Sequence, residues 1–367
     1  MAHKRDISHY HDIIVLKGRV VNCYGFDFIK IFKIVLKYSV YTCIIFIYYI
    51  EKSGGTMTRS EFVFLAIDVL FHPSQNYRRY KGMVREEEFV YDENRPEVCT
   101  AEYYYDPELL KSGKKLPVVL NIHGGGFVKG DKKHRHSLCK RFAKHGYFVM
   151  NINYGLGPKD PYPQGVIDCA NAINYLEKTA EKYNIDIDKV CITGDSAGAY
   201  MATYVEALAV NKELCEKIGA PEIKVKPALL VSFCGPYDLM ASVATVKLPC
   251  HLVWDIGRCY LGFEFGLKKD LSNINDYPYI KEIGPSEFVN PEWCPSFLVM
   301  AEKDIFCKGQ GEILEKKLKD NNVEVVTFSS HKLIDNHCFH MNMGTKISKE
   351  CFKEAFKFMD AHLKTDV

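Results

Sequence analysis

From Gly194 to Gly198 the chain reads GDSAG, directly after the apolar run KVCIT and directly before the helical run AYMATYVEALAV. A strand that turns sharply into a helix at a serine holds that hydroxyl out as a nucleophile. The turn strains the Ser196 backbone, and Gly194 and Gly198 stay small because neighbouring backbone crowds both sides. A serine needs a base to take its proton and an acid to orient that base. In a strand, turn and helix of this kind the chain order is nucleophile, acid, base, with the acid just after a later strand and the base in a loop after the last one. Asp304 follows SFLVMAEK at the carboxyl end of such a strand, where the ligand-facing loops of an open α/β sheet lie, with Asp335 as its rival. For the base, HKLIDNHCFHM offers His331, His337 and His340.

A second stretch, VVLNIHGGGFVKGD from Val118 to Asp131, sets three glycines after an apolar run. Three glycines cost backbone entropy and add nothing to a core, so they mark a chain that passes close to something. Successive amides there can cradle a phosphate or form an oxyanion hole. Both phosphate frames fail. No Lys-Ser or Lys-Thr closes a P-loop, and Gly126 is followed by Phe127, Val128, Lys129 and Gly130, which breaks the spacing of a dinucleotide fingerprint.

The elements that must position these groups alternate along the chain. EVCTAEYYY, LPVVLNIH, GYFVMNINY, KVCIT, ALLVSFC, SFLVMA and VEVVTFS read as strands, and amphipathic helical runs separate most of them. This predicts an α/β fold with a mostly parallel sheet covered by helices on both faces. From Asp238 to Pro291 the rhythm breaks into an aromatic-rich interval with no clear strand, which reads as an insertion at the rim of the sheet. SEFVFLAIDVLF, Ser60 to Phe71, is helical by its apolar spacing.

The 367 residues, 47% of them hydrophobic, suffice for one large α/β domain. With 48 Lys+Arg against 46 Asp+Glu the net charge is +2, and no basic stripe is interleaved with aromatics, so nucleic acid is not an expected partner. The 14 cysteines are scattered through predicted strands and helices without a C-x-x-C pair, and read as reduced, mostly core residues.

Residues 1–56 differ from the rest. Ile31 to Ile50 is apolar, but Lys33 and Lys37 interrupt it and the uncharged part runs only from Tyr38 to Ile50, which is short for a membrane span. If Lys37 snorkels the segment can anchor the chain, with the remainder outside the cytosol. The favoured alternative is translated upstream sequence, with Met57 as the true start and the mature chain cytoplasmic. A core or interface helix is a third reading.

HGGGF, GDSAG, the loop around Asp304 and NHCFH together resemble the hormone-sensitive-lipase-like carboxylesterases of the α/β-hydrolase fold. The resemblance spans Val118 to His340. It implies an eight-stranded sheet and a helical cap drawn from about residues 57–85 and 238–291, with 57–367 as the hydrolase domain. NHCFH is similar to the family's His-x-Phe loop and selects His337, giving Ser196, Asp304 and His337 as the triad. With it, the amides of Gly125, Gly126 and Ala197 form the oxyanion hole, and Gly124 lets the loop approach the nucleophile. NYGLGPKDPYPQGVIDC is similar to a further family stretch whose aspartate, Asp168, is taken as structural, and His123 is taken to tie the glycine loop in place. Ala199 stands where the family often has glycine, and DIFCKGQGE lacks the acidic residues usual after the acid. The expected reaction is cleavage of small carboxylic esters of short to medium acyl chain, with no metal or cofactor and with homodimerisation left open. An anchored relative resembling arylacetamide deacetylases is the alternative if residues 31–50 are an anchor. A non-catalytic receptor on the same fold is disfavoured, because such receptors lack the histidine kept here as His337.

Overall fold

The computed structural model describes residues 57–245, 250–264, 273–332 and 335–364. The segment 1–56, with the possible anchor at 31–50, lies outside the described residues. No described helix is long and apolar enough to cross a membrane.

The strands are β1 (Val84–Arg85), β2 (Phe89–Val90), β3 (Thr100–Tyr105), β4 (Leu116–Ile122), β5 (Phe148–Ile152), β6 (Ile185–Asp195), β7 (Leu229–Phe233), β8 (Ser296–Ala301) and β9 (Val325–Ser330). They form one sheet in the order β1-β3-β5-β4-β6-β7-β8-β9, with β2 also on β3. From β5 to β9 in that order the pairing is parallel, and β3 runs antiparallel to β5. The mostly parallel sheet is as expected, but it has nine strands among the described residues instead of eight. The extra one arises at the edge. β1 pairs Val84 with Tyr105 and β2 pairs Phe89 with Ala101, a shift of register by one residue that splits a single edge strand at a bulge.

Parallel strands are buried on both faces because their crossover helices cover both. In β4, Val118, Leu120 and Ile122 point into one core, which includes Val166, Ile173 and Tyr204 of the Gln164–Asn174 and Ala197–Ala209 helices. Val119 points into the other, with Leu138, Phe142, Phe352 and Met359 of the His136–Lys144 and Lys346–Leu363 helices. This two-sided packing holds the carboxyl ends of β4, β6, β7 and β8 side by side.

Between β7 and β8 the interval from Asp238 carries the helices Leu239–Thr245 and Cys250–Leu261 and two short 3₁₀ turns, and no strand among the described residues. Residues 57–85 divide: Arg59–Gln75 is a helix, whereas Val84–Arg85 joins the sheet. The first helix packs on the inserted one. The Ser60 N–H donates to Asp255 Oδ2 at 2.7 Å, and Phe64 packs with Cys259 and Val128.

Candidate active site

β6 delivers the chain to Ser196, and the Ala197–Ala209 helix begins on the next residue. Ser196 has φ 54° and ψ −122°, a conformation that side-chain-bearing residues rarely adopt. Packing enforces it. A Cβ at Gly194 would lie 2.3 Å from the Gly198 carbonyl, and one at Gly198 would lie 2.1 Å from the Ile122 oxygen. The Ser196 N–H donates to the Phe233 carbonyl at 2.9 Å, tying the turn to β7.

Asp195, the acid inside GDSAG, is buried and takes two bonds from Arg135, Nε to Oδ1 and Nη2 to Oδ2, each 2.6 Å. Burial alone would raise its pKa; the Arg135 charge and hydrogen bonds outweigh burial and hold it below the ordinary carboxylate value. Sequence reasoning missed Arg135. The signal available was an acid forced inward beside Ser196, which requires a cation, but local spacing does not say which one.

His337 Nε2 lies 2.9 Å from Ser196 Oγ, and its Nδ1 lies 2.8 Å and 3.0 Å from the Asp304 oxygens. In the neutral ring the nitrogen facing a carboxylate donates, which leaves Nε2 to accept from the serine. Burial would lower the pKa of this ring; the Asp304 carboxylate, then Cys307, outweigh burial and raise it well above the ordinary value. Asp304 is itself held. Its Oδ1 accepts the N–H groups of Phe306 (2.7 Å) and Cys307 (2.9 Å), backbone donors that fix the carboxylate without acidic neighbours in the sequence. Asn336, also missed, staples the two loops: its Oδ1 accepts from Ile305 N at 3.2 Å and from His337 N at 2.7 Å.

The rival residues lie elsewhere. Asp335 accepts the Ser330 hydroxyl at 2.7 Å. His331 is exposed beside Glu302. His340 is fully buried, stacked 4.1 Å from Phe233, and burial pushes its pKa down to about 3.

The glycine loop closes the site on the side of β4. A Cβ at Gly124 would lie 2.4 Å from the Asp195 carbonyl oxygen and 3.0 Å from Ser196 Cβ, so only glycine lets the loop come this near. Gly125 has φ 143° and Gly126 φ 60°. Lys129 N donates to the Gly125 oxygen at 3.0 Å, and His123 Nδ1 donates to the Gly124 oxygen at 2.9 Å. Burial lowers the His123 pKa to about 4, which keeps this ring a neutral tie. No acceptor among the described residues takes the N–H of Gly125, Gly126 or Ala197. Gly126 and Ala197 are buried and Gly125 is half-buried; a buried donor without an acceptor is costly, so these amides suit an acceptor that arrives with a ligand.

Aromatic rings wall the site. Phe306 lies 4.9 Å from the His337 ring and 6.0 Å from Phe64, and a Cβ at Gly126 would enter the Phe64 ring. Phe127 stacks on Tyr260 of the insertion at 4.1 Å. Asp168 lies away from the hydrogen bonds of Ser196: it accepts from Gly155 N and Gln164 Nε2 and pairs with Arg95. The cysteines whose side chains are described, from Cys99 to Cys351 with Cys250 left aside, are free, and all of these but Cys338 are buried. Among the described residues, His337 belongs to two sets of potential metal-ligating atoms, one with Cys234 and Cys338, the other with Asp304 and Cys307.

The BD-FAE family model matches residues 105–318. Esterase LipQ of Mycobacterium tuberculosis is 25% identical over 227 residues, covering 60% of this chain and 50% of that protein. Lipase 2 of Moraxella sp. is 26% identical over 252 residues, covering 62% and 57%. The chain thus spans only about half the length of these curated relatives. Among solved structures, Esterase B from Lactobacillus rhamnosis superposes with a TM-score of 0.71 at 22% identity, covering 83% of this chain and 96% of that one.

Proposed function

Because the chain belongs to the BD-FAE family, among the hormone-sensitive-lipase-like carboxylesterases of the α/β-hydrolase fold, we propose that it hydrolyses small carboxylic esters of short to medium acyl chain through an acyl-enzyme on Ser196. The observation that carries this reading is the hydrogen-bonded line from Asp304 through His337 to Ser196 Oγ.

Ser196 Oγ attacks the ester carbonyl carbon as its proton passes to His337 Nε2, while Asp304 orients the ring and stabilises the imidazolium. The carbonyl oxygen, now negative, accepts from the N–H groups of Gly125, Gly126 and Ala197. A single donor of this kind is worth roughly 10²–10³ in rate. His337 then protonates the leaving alkoxide oxygen, the C–O bond breaks, and the acyl group stays on Ser196. Water repeats the sequence on the acyl-enzyme, with His337 taking its proton and returning it to Ser196 as the acid leaves.

The Arg59–Gln75 and Cys250–Leu261 helices form the cap. Phe64 and Phe306 stand over the triad and the glycine loop and limit acyl length. A series of p-nitrophenyl esters tests this, with rates expected to peak at short to medium chains; a steady rise to palmitate would contradict it. A fluorophosphonate should label Ser196 stoichiometrically, and a label on another residue would remove the nucleophile.

A further inference from the structure

Around His337 the fold gathers more sulfur than ester hydrolysis uses. The Sγ atoms of Cys234 and Cys338 and one ring nitrogen of His337 all lie within 4.8 Å of one another. The two thiols arrive on different elements. Cys234 directly follows β7, with its N–H donating to the Val299 carbonyl at 2.8 Å, and Cys338 follows the base itself. Both have positive φ, 52° and 54°, in the left-handed region that glycine or asparagine enters more readily. A fold that needed only these turns would place glycine there, and cysteine at both sets two thiols against one imidazole. Two thiolates and an imidazole, with water as a fourth ligand, suit Zn²⁺ or Cd²⁺ and not a hard cation such as Mg²⁺. Cys234 is buried, whereas Cys338 and His337 are partly exposed, so an ion has an approach from their side.

We propose that Cys234, Cys338 and His337 form an inhibitory site for a thiophilic divalent cation of the Zn²⁺ class. On coordination each thiol releases its proton to solvent, so one ion bound through both sulfurs liberates two protons. The ion takes a lone pair of the imidazole, and a ring held by metal cannot accept the Ser196 proton. Hydrolysis stops until a chelator withdraws the ion. The inhibition rests on His337 being the base of the proposed reaction; the binding does not.

The two are separated by titrating metal-free, reduced Ser196→Ala protein with Cd²⁺ and following the ultraviolet thiolate-to-cadmium charge-transfer absorption. One ion's worth of absorption should vanish when Cys234→Ser and Cys338→Ser are added. Should that variant fail to fold, Cys338→Ser alone, at the partly exposed position, must weaken the band. In parallel, Zn²⁺ should inhibit p-nitrophenyl butyrate hydrolysis by the unaltered chain, and EDTA should reverse it. Relative to each protein's own metal-free rate, the double variant should need at least about tenfold more Zn²⁺. A band that survives both serines, or that disappears with Cys307→Ser in their place, overturns the site. If the unaltered chain hydrolyses no ester, the proposed function fails, and the Cd²⁺ titration still decides the metal site.

Discussion

In the proposed reaction His337 and Asp304 act as one unit, because the ring meets Asp304 through one nitrogen and Ser196 through the other. The contact of Nδ1 with Asp304 sets the tautomer, and the 2.9 Å contact of Nε2 with Ser196 Oγ uses it. His337→Ala should therefore lower kcat by roughly 10⁴ or more, and Asp304→Asn by a comparable factor through the wrong tautomer. Steady-state kinetics on an activated ester checks both, with Asp335→Asn as the control, since that carboxylate serves Ser330. His331→Ala should stay within about tenfold of wild type. His340→Ala should lower the melting temperature more than the rate, because its ring fills space between Phe233 and Phe352. Equal losses of kcat at His337 and His340 would show that the base has been misassigned.

Among the elements, the ties that hold the loops together matter as much as the strands that carry them. The buried Arg135–Asp195 pair joins the segment after the glycine loop to the end of β6. Removing one partner leaves a charge without compensation, so Arg135→Ala should cost about 3–5 kcal/mol in denaturant unfolding. Arg135→Met with Asp195→Asn should recover much of that loss; a single variant as stable as wild type would mean that the pair does not anchor the turn. This tie also shows where the sequence was readable. GDSAG, HGGG and the period-two strands are local signals, set by backbone crowding and pleat, and they were legible. Arg135 and Asn336 act across long separations or between loops, where one chain read in order carries no distance information. The split edge strand was hidden for a related reason, since a one-residue slip between β1 and β2 leaves the residue types unchanged.

For the molecule as a whole, stability and pH meet at Glu206, on the helix that begins just after Ser196. The side chain is almost fully buried, its Oε1 accepts the Cys294 N–H at 2.8 Å, and no described residue donates to its Oε2. Burial raises its pKa from the ordinary 4.5 to about 8, so the folded chain holds a proton that the unfolded chain gives up. The sign follows from that difference. This stabilising contribution is whole below about pH 4.5, shrinks as the unfolded state ionises, and is gone once pH rises through about 8. The helix links Ser196 to the loop before β8, so loosening at Glu206 is a loss for the whole fold and not for one loop. Glu206→Gln keeps the acceptor for Cys294 N and removes the titration. It should flatten the dependence of unfolding free energy on pH between about 5 and 9, leaving the variant more stable than wild type at pH 9 by up to a few kcal/mol. Urea unfolding at a series of pH values measures this directly, and a variant whose stability falls with pH as steeply as wild type would place the alkaline loss elsewhere.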